Sequence, residues 1–256
     1  SKVGATLSLK NLIGISGKKE WLPHFRTGAP SQGGDEYPKG GLLYRIDSEV
    51  AALLRNTHPL LWKLAYPFGM AFRKARRFLS GLTNRSASDG SQIDPEDIRG
   101  GAWFGNDTLW RTILDLNKIL FFADKRGVIN RERQRKYITI LDGITAGEGD
   151  GPFHPLPKQA GLLIGGFNPI PVDMVCVRLM GFDYAKIPVI QRASQVSSYS
   201  FGSFTTEEIS TCSNSDRWTS LFDGSNSDSL NFESPPGWVG HIELEDRTVG
   251  RVAQHS

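Results

Sequence analysis

The sequence predicts an α/β fold: a mixed or mostly parallel sheet flanked by helices, with a helical insertion and an irregular Ser-rich C-terminal region. Three observations carry this. Residues 136–141 and 160–165 are short, apolar, β-rich runs bounded by polar or glycine-rich segments. Leu109, Trp110, Ile113, Leu116, Ile119 and Leu120 recur at helical spacing. Asn168-Pro169 then opens a second helical run just after the second strand. Strand, loop, strand, helix is the order of an α/β sheet. Apolar residues along both strands fit burial on both faces, which favours parallel neighbours.

Taken in order, residues 3–14 are apolar with small residues interspersed, and they end in a glycine turn at 14–17. Residues 23–41 are rich in Gly, Pro and charge and read as an irregular surface loop. Residues 47–55 predict a short helix from Asp47, with Val50, Leu53 and Leu54 on one side. Residues 59–79 read as helical with a break at Pro67, and 80–97 as a linker, so 56–98 forms a helical insertion. The clearest helix is capped by Asn106 or Asp107 and runs to about Phe122. Residues 124–127 are a turn. After the first strand, residues 141–152 place three carboxylates among four glycines. That segment reads as a flexible loop at the end of a buried strand, where open α/β sheets put ligands. The helix from Pro171 to Met180 is closed by Gly181. Residues 194–234 are Ser-rich and predict loose order, and 235–244 are strand-like again. The 256 residues are read as a single α/β domain.

Composition excludes several classes. A formal charge of +3 is too small to argue for nucleic acid. Two cysteines, Cys176 and Cys212, cannot by themselves hold an iron–sulfur cluster or a zinc site. No apolar run of about 18 residues implies a membrane span. The expected location is cytoplasmic. Residues 59–79 add a membrane-peripheral option, because Lys63, Arg73, Lys74, Arg76 and Arg77 lie beside Leu60, Trp62, Leu64, Phe68 and Phe72.

The candidate site residues follow from their chemistry. Asp142, Glu148 and Asp150 offer hard oxygen ligands for a divalent cation, or a general acid or base in Glu148 and Asp150. Gly147 and Gly149 allow close approach to a ligand. Asn168 opens a helix N-terminus, which attracts anions, and Asp173 is placed to complete a cation site or to complement the helix dipole. Lys10 lies in an apolar run and needs a partner such as a phosphate or carboxylate, with Asn11 beside it. His24, in an aromatic loop next to Arg26, can bind an anion or move a proton. Asn106, Asp107 and Arg111 follow a glycine pair at the start of the main helix, and Arg111 is spaced to pair with Asp115. The expectation is one cleft shared by the 142–150 loop, the 168–173 helix start and Lys10.

Four separated motifs, in order, carry a resemblance: Gly4-Ala5-Thr6-Leu7-Ser8-Leu9-Lys10-Asn11-Leu12-Ile13-Gly14; Arg99-Gly100-Gly101-Ala102-Trp103-Phe104-Gly105-Asn106-Asp107-Thr108-Leu109-Trp110; the 147–152 loop; and Asn168-Pro169-Ile170-Pro171-Val172-Asp173. They resemble the bacterial and archaeal family called domain of unknown function 362. The resemblance implies a fold and a pocket but no reaction. It also implies that the chain corresponds to a C-terminal part, with an upstream half of the same protein as a partner. Some members carry cysteine-rich ferredoxin modules. Those cysteines are absent here, so no cluster is carried over. Two functions remain open. One is an enzyme, or enzyme half, that binds a small anionic ligand, with a divalent cation as the possible cofactor. The other is a non-catalytic module that meets a membrane surface or protein partner through residues 59–79.

Overall fold

The structure, a computed structural model, describes residues 1–15, 17, 22–38, 57–58, 98, 100–151, 154–195, 208–219, 221–222 and 228–245. The helices expected at 47–55 and 59–79 and the linker at 80–97 lie outside the described residues. What is described is mixed α/β, with helices and one long β-hairpin.

The hairpin is the main departure from expectation. Strands β1 (Thr139–Asp150) and β2 (His154–Gly166) pair antiparallel, with Leu141 opposite Ile164 and Glu148 opposite Leu156. The two apolar runs are neighbours as expected, but in a hairpin rather than a parallel sheet. Residues 142–150 are strand, not loop. Their glycines are thin members of a ladder, with Gly147 opposite Pro157 and Gly149 opposite Pro155. The register shifts between Gly143 and Thr145, where Ala160 and Gly161 oppose the single Ile144. Gly161 takes φ 67°, the left-handed conformation that a bulge of this type needs.

Helix α1 (Asn11–Ile15) occupies the end of the apolar N-terminal run. The Asp173 carboxylate fixes this start by accepting from the Ser8 and Leu9 N–H groups at 2.8 and 3.0 Å. Helix α2 (Leu109–Phe122) is capped by Asn106, whose Oδ1 accepts from the Thr108 and Leu109 N–H groups. Helix α3 (Pro169–Met180) is capped by Asn168, whose Oδ1 accepts from Ile170 N–H, and it is closed by Gly181 as expected. Helix α4 (Pro188–Gln195) follows a short 3-10 turn at Tyr184–Lys186.

Packing joins these elements. α3 lies against β2 and α4, while α2 lies against α1 and α4. The helix that lies against the hairpin is therefore α3. Leu109, Ile113, Phe121, Ile170, Val177, Phe182, Ile187, Ile190, Trp238 and Ile242 form the core. Each large side chain so buried contributes about 1.5–3 kcal/mol. The Ser-rich region adds Leu221 and Phe232 to the buried set, and Phe232 N–H donates to Met180 C=O. The 235–244 segment enters through turns. Asp183 N–H donates to Ile242 C=O, and Phe182 bridges Glu243.

Candidate functional site

Three basic groups near the N-terminal segment act on one another: Lys2, Lys10 and His24. The Lys10 ammonium donates to Thr6 Oγ1 at 2.9 Å. Burial, and after it the charge of Lys2, lowers its pKa to about 8. Burial also lowers Lys2, whose charge Glu36 partly offsets. The Lys2 ammonium lies 5.3 Å from the Phe25 ring centre. His24 Nδ1 lies 2.8 Å from Leu22 C=O. Burial pulls the imidazole below its ordinary value; the contact with Leu22 opposes this, and the charges of Lys2 and Lys10 add to it. Like charges that shift one another share a small region. Lys10 and His24 were expected from sequence. Lys2 was missed, and its only signal was a second lysine on the same apolar segment.

The loop around this cluster is held by α2's N-terminal end. Asn106 Nδ2 donates to His24 C=O at 2.9 Å and to Gly101 C=O at 2.8 Å. Gly101 has φ 75°, and a Cβ there would lie 2.2 Å from Asn106 Nδ2, so only glycine fits. Asp35 was not singled out by sequence, because acids in a glycine-rich loop read as surface charge. It is 1% exposed. Its carboxylate accepts from Arg26 N–H, Asp107 N–H and the Thr108 hydroxyl, and Trp103 Nε1 donates to its C=O. Asp107 pairs with Arg111 at 3.0 Å. The expected Arg111–Asp115 pair is replaced by this one, and Asp115 meets Lys118 instead. Asn106 thus braces the loop that carries His24, while Asp107 and Arg111 form a half-exposed ion pair one step away.

The other expected residues do not gather in one place. Asp142, Gly147, Glu148 and Gly149 line a cavity of about 440 Å³ between the hairpin, residues 4–7 and α3. Thr6, which accepts from Lys10, lines it too, whereas Lys10 itself is not among the lining residues. Glu148 is engaged already: it pairs with Lys158 at 3.3 Å and accepts from Glu233 N–H at 2.9 Å. Asp142 accepts from Ile144 N–H. Asp150 is exposed and lies opposite His154. Asn168 serves as the α3 cap. Asn11 is exposed at the start of α1. Asp173 is 2% exposed, and burial raises its pKa to about 7 against the two backbone donors that lower it. Both of its oxygens are occupied by the α1 start. Among the described residues no three His, Cys, Asp or Glu side chains converge as metal ligands.

The fold and site thus define a mixed α/β domain with a half-buried cluster of basic side chains and a cavity lined by the hairpin. A family model described as domain of unknown function (DUF362) matches residues 1–178, and the chain belongs to that family. A stretch of 53 residues, 21% of the chain, is 40% identical to the thylakoid-associated protein sll1697 of Synechocystis sp.. That stretch spans 16% of the cyanobacterial protein's length. No solved structure matches the chain. Among the described residues no helix is long and apolar enough to cross a membrane.

Proposed function

We propose that the chain binds a small anionic ligand, a phosphate- or carboxylate-bearing molecule, at Lys2, Lys10 and His24, with Thr6 as a neutral hydrogen-bonding partner. The observation that carries this reading is the electrostatic state of Lys10. Its ammonium is partly buried, is repelled by Lys2, and among the described residues contacts a hydroxyl rather than a carboxylate. Buried cations are ordinarily paired. An anion supplies the missing charge, raises the pKa of Lys10 back towards its ordinary value and relieves its repulsion with Lys2. His24, held low by burial and, to a lesser degree, by the charges of Lys2 and Lys10, is a neutral base until the anion arrives and a proton donor afterwards. This suits either simple binding or proton transfer to a bound substrate.

The test is titration calorimetry with inorganic phosphate at pH 7, alone and with Mg²⁺. Lys10→Met is expected to weaken phosphate binding about tenfold or more, a change of about 1.4 kcal/mol. Unchanged phosphate affinity in Lys10→Met overturns the reading. Tighter phosphate binding with Mg²⁺ would add a cation to the site.

A second reading places the protein at a membrane surface. It is favoured by the name of the cyanobacterial relative and by the basic, aromatic composition of residues 59–79. Its test is sedimentation with anionic liposomes at low salt. Binding that survives replacement of Arg73, Lys74, Arg76 and Arg77 by Gln argues against it.

A further inference from the structure

The two strands of the hairpin form the whole sheet among the described residues, so each keeps an outer edge. Unpaired strand edges recruit other strands, and natural proteins blunt the ones they leave bare. The two halves of β2 differ in this respect. Towards the tip it carries Pro155 and Pro157, and prolines enter strands where the missing N–H faces away from the partner. Gly149, opposite Pro155, turns its own N–H outward to Glu233 C=O, in keeping with that placement. The tip half is therefore blunted. The base half, residues 161–166, contains no proline and no charge.

A groove runs beside that base half. It has a volume of about 730 Å³. Residues 161–168 form one wall, Pro171, Val172, Val175 and Leu179 of α3 form the floor, and residues 209–214 with Trp218 form the other wall. Among the described residues, none in 209–214 bonds to the β2 backbone. Among the described residues no charged side chain lines the groove, in a chain that is 22% charged. The sheet face beside it is apolar and open: Ile140, Leu163 and Phe167 are 71%, 67% and 78% exposed. Residues 161–166 span roughly 20 Å, the length of an ordinary strand.

From these features we infer that the base of β2 is a docking edge for an extended, uncharged strand of another polypeptide, which joins the hairpin as a third strand. The edge supplies backbone donors and acceptors, which select an extended peptide over a lipid or a small apolar molecule. The uncharged lining rejects a strand with Lys, Arg, Asp or Glu in the paired stretch, because each would be desolvated without a partner. This is strand addition: main-chain bonds give affinity and the apolar walls give specificity.

The experiment uses the full chain and a fluorescein-labelled octapeptide of alternating Thr and Val, with a second peptide that carries a central proline. Fluorescence anisotropy reads binding, and hydrogen exchange reads the amides of residues 161–166. The expected result is saturable binding of the first peptide, with those amides slowed about tenfold. The proline peptide and the Leu163→Lys variant should each bind about tenfold more weakly, or about 1.4 kcal/mol. Leu163 is exposed, so its change is compatible with folding, and the exchange measurement needs no variant. Three results overturn the inference. One is no binding of either peptide. Another is equal binding of both. The third is a dimer of the chain, by light scattering, in which residues 161–166 are already protected, because a second copy would then own the edge.

Discussion

The Asp35 carboxylate stands at the N-terminal end of α2 and accepts from two backbone N–H groups and one hydroxyl. A buried acceptor that serves three donors costs more to remove than to have made, because each donor is stranded away from water. Asp35→Ala is expected to lower stability by roughly 3 kcal/mol, at about 1 kcal/mol or more per stranded donor. Asp35→Asn should lose less, since its amide oxygen still accepts. Urea denaturation monitored by tryptophan fluorescence checks both, and equal losses would remove the argument. Little of this was legible in advance. Asp35 sits in Gly33-Gly34-Asp35-Glu36, where composition says only polar loop. Its partners lie more than 70 positions away in sequence at Asp107 and Thr108. Lys10 was legible for the opposite reason: a charge inside an apolar run is a local anomaly.

At the scale of elements, the helices were readable and the sheet was half readable. α2 and α3 announced themselves through apolar period, caps and Gly181, all of which are local signals. The hairpin's direction was not local. Ile140, Leu163 and Phe167 make the strands look buried on both faces, yet those side chains face outward. The parallel reading rested on that resemblance between exposed and buried apolar runs. Gly143, Gly147 and Gly149 then disguised the second half of β1 as a loop. The bulge gives the hairpin its own test. At φ 67°, Gly161 occupies a conformation that costs L-residues roughly 1–2 kcal/mol. A Cβ there meets nothing within 4 Å, so sterics with neighbours play no part. Gly161→Ala should therefore destabilise by about 1 kcal/mol through backbone strain alone. A loss above 3 kcal/mol in calorimetry would mean that the bulge controls more than its own residue.

For the whole molecule, two buried titrating groups shape the response to pH in opposite senses. Asp173 has a folded pKa raised to about 7, above its unfolded value of 3.8, so the folded state holds its proton longer. Its contribution to stability is intact below about pH 4 and falls as pH rises towards 7. Lys10 has a folded pKa lowered to about 8, below its unfolded value of 10.5, so the unfolded state holds the proton longer. Its cost is full below about pH 8 and is relieved as pH rises towards 10.5. Together they predict a shallow minimum in melting temperature between about pH 7 and 8. Lys10→Met should remove the alkaline rise and leave the acid limb. Saturating phosphate should raise melting temperature most near neutrality, where Lys10 is still protonated and unpaired. Melting curves from pH 4 to 10 decide this, and a profile unchanged in Lys10→Met would exclude Lys10 as the source of the alkaline limb.

The two thiols have unequal fates. Cys176 is buried, and burial with the nearby Asp173 charge holds its thiol far above the ordinary range, where no thiolate forms at neutral pH. Cys212 is exposed and lines the groove beside β2. An environment-sensitive maleimide dye should therefore attach to the native chain at one position only, and to two positions once guanidinium unfolds it. The wild-type sequence thus carries its own optical sensor at the edge of the sheet. A colour change on adding a peptide would report what enters there without any engineered cysteine.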